Sequence, residues 1–177
     1  FQMTGAVFGG AGACIVGGDT AARETGVAMD VVVIGTPYGD RYLTRRGASA
    51  GDVICVTGPL GTAGAGLYAL ERGLDAPEEV LWAHLEPLPK IEFGEWLALQ
   101  PSVKAMIDVS DGLLRDVGHL GEATGIGVNI VSDRVPVTEA TRQFCASHGL
   151  NAVDLAMTSG DDYELACAIA PNDFERV

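Results

Sequence analysis

Two carboxylates, a hydroxyl and a glycine follow an apolar run in residues 105–114, which read AMIDVSDGLL. This pattern is typical of a strand that delivers a polar loop to a helix N-terminus, where unpaired N–H groups favour an anion. Asp108 and Asp111 are three residues apart and supply the oxygen ligands that Mg²⁺ prefers. The stretch therefore predicts a site for a metal ion and phosphate.

Two other acidic turns lie beside apolar runs. Asp19 follows Gly18 and the run 13–16, which we expect to be buried; its carboxylate can hold a metal, cap the next segment or belong to a plain turn. Asp161 and Asp162 are adjacent, and adjacent side chains of an extended segment point to opposite faces. We expect one of this pair to face a ligand and the other to cap or hydrogen-bond the turn.

Together the three acidic loops indicate carboxylates that converge on divalent ions, which in turn hold phosphates. Phosphoryl transfer needs this arrangement because the protein mainly positions the reactants and neutralises charge. A cation such as Arg45 would complete the site. Each loop can instead be a capping turn, and Arg45 with Arg46 can be a solvated pair.

The elements that position these loops follow from apolar periodicity, from β-branched runs and from Gly and Pro at the breaks. Gly58 and Gly61 are interpreted as turn and close-packing residues, because the Gly-Lys-Ser/Thr ending of a phosphate loop is absent. The predicted strands are 27–34, 53–56 and 125–131, with an apolar run at 165–169, and the predicted helices are about 62–72, 80–85, 91–99, 113–123 and 138–148.

Composition excludes several classes of protein. The chain has 177 residues, 47% hydrophobic and 20% charged, as in ordinary globular proteins. Its net charge of −13 argues against a nucleic-acid surface. We find no run long enough for a membrane span and no signal peptide, and four scattered cysteines favour the cytoplasm. The chain starts at Phe1 without an initiator methionine, so we expect a fragment that lacks residues at both ends.

Several motifs, spread over nearly the whole chain, resemble those of thiamine-monophosphate kinase, a family of the aminoimidazole ribonucleotide synthetase-like superfamily. The segment at 108–113 is the most specific of them. The motifs are GGDT at 17–20, LTRRGASAGD at 43–52, VTGPLG at 56–61, DVSDGL at 108–113 and GDDYEL at 160–165.

The resemblance implies an α/β (α+β) two-domain fold, of which mostly the C-terminal domain is present. Residues 1–40 would be the remnant of an N-terminal ATP-binding and dimerisation domain. Residues 41–177 would form the α+β C-terminal domain, truncated at its end. The resemblance also implies a homodimer that binds small molecules and neither nucleic acid nor a membrane.

The implied activity is ATP- and Mg²⁺-dependent phosphorylation of thiamine monophosphate to thiamine diphosphate. Gly18, Asp19, Arg45 and Ser110 would bind ATP, Asp19, Asp108 and Asp111 would bind Mg²⁺, and Asp161 aligns with an acidic residue, usually Glu, that contacts the thiamine substrate. The acceptor is an ionised phosphate, so positioning and metals would suffice without a catalytic base. The alternatives are a sister ATP-dependent enzyme with another small acceptor, or a non-catalytic binding or dimerisation remnant. The fragment itself could be inactive.

Overall fold

The computed structural model describes residues 12–37 and 41–176, so predictions for 1–11, 38–40 and 177 lie outside the described residues. The chain divides into two compact units, residues 1–38 and 39–177. The predicted division into an ATP-binding remnant and a C-terminal domain stays a prediction.

The described part of the first unit, residues 12–37, is exposed and contains no helix or strand. The prediction of a buried segment at 13–16 is therefore wrong, since Val16 is 90% exposed. The prediction of a strand at 27–34 is also wrong. A β-branched run favours extended backbone, but a strand also needs a neighbour for its N–H and C=O groups, and no described segment of this unit pairs with it.

The second unit alternates helices with three strands. In chain order the elements are β1 (Val53–Val56), α1 (Thr62–Arg72), α2 (Glu78–Leu85), α3 (Ile91–Leu99), β2 (Val103–Asp108), α4 (Leu113–Thr124), α5 (Glu139–Ser147), α6 (Ala152–Thr158) and β3 (Leu165–Ile169), with short 3₁₀ helices at Ser132–Arg134 and Pro171–Arg176. Among the described residues, no helix combines the length and apolar character needed to cross a membrane.

The strands form an antiparallel sheet with β3 in the centre, between β1 and β2. Val56 lies opposite Ala166 on one side of β3, and Asp108 lies opposite Leu165 on the other. The carboxyl ends of β1 and β2 therefore meet the start of β3. The loops that follow β1 and β2 and the loop that precedes β3 share one edge of the sheet.

Each face of the sheet is covered by a helix. On one face Ala105, Ile107 and Ala166 pack with Val117 and Leu120 of α4. On the other face Cys167 and Val103 pack with Leu97 of α3. Small residues in β3 allow both helices to lie close to its backbone. Burial of these apolar side chains is the main force that holds the sheet to α3 and α4.

A separate cluster joins α1, α2, α5 and α6 through buried side chains, among them Ala65, Val80 and Phe144. The prediction of helix 138–148 is confirmed, because Thr138 caps α5 by accepting a hydrogen bond from Thr141 N (3.1 Å). The prediction of a strand at 125–131 is wrong: the segment alternates half-buried and exposed residues but pairs with no strand in the described chain.

Arg41 ties the start of the second unit to the sheet. Its guanidinium donates to the carbonyl oxygens of Ala98 (2.7 Å) and Gln100 (2.6 Å), and also to that of Val103. These acceptors lie at the C-terminus of α3 and the start of β2, where a cation also complements the helix dipole. The segment after Arg41 then runs beside β2, and Met106 N donates to Thr44 O (3.0 Å).

Candidate active site

The loop after β2 is shaped by Gly112. Its φ of 107° is rarely adopted by other residues, and a Cβ there would lie 2.9 Å from Thr158 O. The close approach brings the loop against the end of α6 and lets α4 begin at Leu113. Asp108 and Asp111 are both exposed at the ends of this loop. The predicted strand, polar loop and helix are therefore confirmed in arrangement.

The buried carboxylate of Asp116 fixes the backbone of the loop after β2. Asp116, which is only 3% exposed, accepts hydrogen bonds at Oδ2 from Ser110 N (3.0 Å) and Asp111 N (2.9 Å). Acidic side chains are favoured in the first turn of a helix, where free N–H groups need acceptors. Asp116 was not among the predicted site residues, although its position in the first turn of a predicted helix was an available signal.

Backbone hydrogen bonds join this loop to the one before β3. Val109 N donates to Glu164 O (2.7 Å), Tyr163 N donates to Val109 O (2.9 Å), and Asp161 N donates to Ser110 O (3.0 Å). Two of the three acidic loops predicted from the sequence, those of Asp108 with Asp111 and of Asp161 with Asp162, thus lie side by side at the edge of the sheet.

The adjacent carboxylates of Asp161 and Asp162 have different partners. Asp162 accepts hydrogen bonds from Gly61 N (2.7 Å) and Ala63 N (3.2 Å), and so caps the N-terminus of α1. Burial raises the pKa of Asp162 to about 6, against the opposing effect of these two hydrogen bonds. The prediction that one of the pair serves as a cap is confirmed, although the capped helix belongs to a distant part of the sequence.

Tyr163 contacts the second carboxylate of this pair, that of Asp161. Its hydroxyl donates to Asp161 Oδ1 (3.2 Å). Burial raises the pKa of the Tyr163 phenol, and the charges of Asp161, Asp108 and Asp111 raise it further. Carboxylates of both loops therefore contribute to the shift of one hydroxyl.

A second buried carboxylate supports the loop from the opposite side. Glu164, 7% exposed, accepts a hydrogen bond from Thr57 Oγ1 (2.5 Å) and pairs with Lys90 Nζ (3.1 Å). A Cβ on Gly58 would lie 2.5 Å from Glu164 Oε1, which confirms the close-packing role predicted for this glycine. This arrangement was not predicted, because Thr57, Lys90 and Glu164 lie far apart in the chain.

The remaining predicted site residues belong to other segments of the chain. Arg45 is exposed on the segment that runs beside β2. Gly18 and Asp19 are exposed in the first unit, where Asp19 Oδ1 accepts a hydrogen bond from Thr20 N (2.8 Å). Their roles stay predictions.

The donor set suits a hard cation. Within 12–37 and 41–176 no three His, Cys, Asp or Glu side chains form a metal-binding group. Mg²⁺, however, commonly takes one or two carboxylates and completes its coordination with water and substrate phosphates. Asp108 and Asp111 are exposed carboxylates on a loop whose backbone is fixed by Asp116. These residues fit Mg²⁺ of that kind.

Comparison with known proteins identifies a family whose match covers most of the second unit. The family described as AIR synthase related protein, C-terminal domain, matches residues 49–177, well over half of the chain. This chain belongs to that family. The match begins just before β1 and includes both loops of the candidate site.

Curated relatives carry the name thiamine-monophosphate kinase. The chain is 35% identical over 160 residues to the protein from Salmonella typhimurium, with 88% of this chain and 47% of the relative covered. It is 32% identical over 155 residues to the protein from Aquifex aeolicus, with 85% of this chain and 49% of the relative covered. The chain thus spans about half the length of these relatives. The resemblance identified from the motifs is confirmed.

Solved structures of similar proteins support the same relationship. A thiamine-monophosphate kinase from Stenotrophomonas maltophilia K279a is similar with a TM-score of 0.70 and 31% identity, over 77% of this chain and 45% of that one. AaThiL complexed with AMPPCP and TMP has a TM-score of 0.69 and 29% identity, over 75% and 44%. Escherichia coli HypE has a TM-score of 0.62 and 27% identity, over 76% and 40%. The predicted α+β fold of the aminoimidazole ribonucleotide synthetase-like type is confirmed.

Proposed function

We propose that this protein is part of an enzyme that transfers the γ-phosphoryl group of ATP to thiamine monophosphate and yields thiamine diphosphate. The observation that carries the proposal is the joined pair of acidic loops, in which backbone hydrogen bonds of Val109 and Ser110 tie the loop of Asp108 and Asp111 to the loop of Asp161. The similarity to thiamine-monophosphate kinases, one of them complexed with AMPPCP and TMP, supports the same reaction.

In this reaction the loop after β2 serves the nucleotide side. Asp108 and Asp111 would hold Mg²⁺ and Ser110 would contact the phosphates; for Asp19 the metal role is the one that the resemblance implies. Gly18, Asp19 and Arg45 bind ATP. A bound Mg²⁺ would supply neutralisation of the negative charge on the phosphates. Asp116 keeps the Ser110 and Asp111 amides in fixed positions.

The loop before β3 serves the acceptor side, where Asp161 contacts thiamine monophosphate. The acceptor oxygen is already ionised at neutral pH, so no side chain has to remove a proton from it. Fixed geometry and charge neutralisation are then the main sources of rate acceleration. The working protein is a cytoplasmic homodimer in this proposal.

The test is an assay of the full-length protein with ATP, Mg²⁺ and thiamine monophosphate, in which thiamine diphosphate is quantified by chromatography. We expect product only when all three are present, and none when thiamine replaces its monophosphate. A folded full-length protein that binds Mg-ATP but forms no thiamine diphosphate would contradict the acceptor assignment. A protein that binds no nucleotide would support a non-catalytic binding or dimerisation role.

A second candidate is a sister ATP-dependent enzyme with another small acceptor. The structural similarity to HypE favours it, because a second branch of the superfamily shares this fold at 27% identity. ATP turnover that depends on a different acceptor, and not on thiamine monophosphate, would distinguish this candidate.

A further inference from the structure

The loop before β3 contains two residues in an unusual backbone conformation. Asp161 and Tyr163 have φ values of 64° and 50°, and among the described residues they are the non-glycine residues with positive φ. Left-handed backbone is unfavourable for residues with a Cβ, and it persists only where surrounding contacts determine it. Such residues cluster at functional sites, so the contacts that hold this loop are informative.

Those contacts fix the loop from both sides. The N–H groups of Asp161 and Tyr163 donate to the carbonyls of Ser110 and Val109, at 3.0 and 2.9 Å. Between them, the Asp162 carboxylate turns inward to cap α1. The side chains of Asp161 and Tyr163 meet each other instead, with 3.2 Å between Tyr163 Oη and Asp161 Oδ1.

The hydrogen bond from Tyr163 is poorly explained by stability alone. The Tyr163 side chain is 39% exposed, so its hydroxyl could bond to water with little loss. The bond does restrict the Asp161 carboxylate, whose Oδ2 has no hydrogen bond in the described part of the chain.

We propose that Tyr163 is a positioning residue, which orients the Asp161 carboxylate toward the acceptor. The proposal rests on the function proposed above. Tyr163 acts through Asp161 and takes no part in moving the phosphoryl group. Its removal should therefore affect acceptor binding more than turnover.

The experiment compares Tyr163→Phe, Asp161→Asn and the double variant in the full-length protein, with ATP, Mg²⁺ and thiamine monophosphate. Tyr163→Phe should raise the KM for thiamine monophosphate about tenfold, with kcat and the KM for ATP within about twofold. Because both residues act through one carboxylate, the double variant should be no worse than Asp161→Asn. The exposed Tyr42→Phe is the control and should behave as wild type.

Other outcomes would overturn the assignment. An unchanged KM in Tyr163→Phe, or additive effects in the double variant, would show that Tyr163 does not act through Asp161. An equal loss of affinity for ATP would indicate general damage to the loop. If the wild-type protein itself forms no thiamine diphosphate, both this inference and the proposed function fail, whereas an active wild type with normal Tyr163→Phe overturns only the inference.

Discussion

Asp108 and Asp111 differ from the other carboxylates of the site in being exposed and accessible to a ligand. Asp111 makes an exposed ion pair with Arg115 (3.5 Å), whereas Asp116, Asp162 and Glu164 accept hydrogen bonds that hold their loops. Asp116 and Asp162 hold the loops in place through backbone amides, and Glu164 does so through Thr57 and Lys90, whereas the exposed carboxylates are available for the chemistry. This division of roles predicts two kinds of mutational effect.

Removing the charge of Asp108 or Asp111 should abolish most of the proposed activity. We expect Asp108→Asn and Asp111→Asn each to lower kcat/KM at least a hundredfold, on the order of 3 kcal/mol of transition-state stabilisation, because an amide is a weaker metal ligand. Steady-state kinetics at several Mg²⁺ concentrations measures this. Asp75→Asn, at an exposed position between α1 and α2, is the matched control. Wild-type kinetics in both site variants would refute the metal role.

Asp162 should make stability depend on pH. An aspartate in the unfolded chain titrates near 3.8, whereas the pKa of native Asp162 is about 6. Between these values the native protein keeps the proton that the unfolded chain releases, so the free energy of unfolding falls as pH rises. From pH 4.5 to 7 this group should account for a loss of about 2 kcal/mol. Urea denaturation at both pH values measures it.

The matched variants are Asp162→Asn and the exposed Asp133→Asn. Asp162→Asn should be less stable at both pH values, because it weakens the cap of α1, and its stability should vary less with pH. Asp133→Asn should keep the wild-type slope. Equal slopes in all three proteins would show that Asp162 titrates normally.

At the scale of elements, α1 and α2 pack closely at Gly66. A Cβ at this position would clash with the backbone carbonyl of Val80. We expect Gly66→Ala to lower the free energy of unfolding by about 1–3 kcal/mol, because the two helices would have to separate. Denaturant unfolding monitored by circular dichroism provides the value.

Gly118 offers the matched control in α4, since its Cβ would meet no atom within 4 Å. Gly118→Ala should stabilise the protein by about 0.5–1 kcal/mol, because alanine loses less backbone freedom in a helix. A stabilising Gly66→Ala would contradict the packing described for α1 and α2.

Most elements of the second unit could be predicted because their signals are local. The β-branched run of β1 and the helical spacing of α4 match the structure closely. The strands predicted at 27–34 and 125–131 failed because pairing depends on residues distant in sequence. Helix α6 was missed although Asn151, which caps it, is a recognisable start signal. This helix has seven residues and few large apolar side chains, so its apolar residues show no clear helical periodicity.

The candidate site was predictable to a similar degree. The acidic loops could be recognised from Asp beside Gly after apolar runs, and two of them do lie together. The contacts that hold these loops in place could not be recognised from the sequence. Glu164 and Lys90 are 74 positions apart, and their ion pair arises only when the strand and the segment before α3 meet. A pattern within one segment carries no information about such a pair.

At the scale of the whole molecule, the chain carries a large excess of negative charge. A net charge of −13 produces self-repulsion in the folded state, and monovalent salt screens it over about 8 Å at physiological ionic strength. We expect Tm to rise by a few degrees between 20 and 300 mM NaCl. Thermal unfolding with a chelator present, repeated in KCl, separates screening from specific ion binding. A Tm that falls with salt would show that attractive ion pairs outweigh the repulsion.

The central position of β3 has a consequence for biosynthesis. Strand β1 ends at residue 56 and β2 at residue 108, whereas β3 begins at residue 165, so the ribosome must add more than a hundred residues before β1 can pair and more than fifty before β2 can. The nascent chain can form helices during this time, but the backbone N–H and C=O groups of β1 and β2 that pair with β3 stay unpaired. Unpaired strand edges favour association with other chains. Folding of the sheet is therefore delayed until β3 has left the exit tunnel, and a chaperone has the most to protect in that interval.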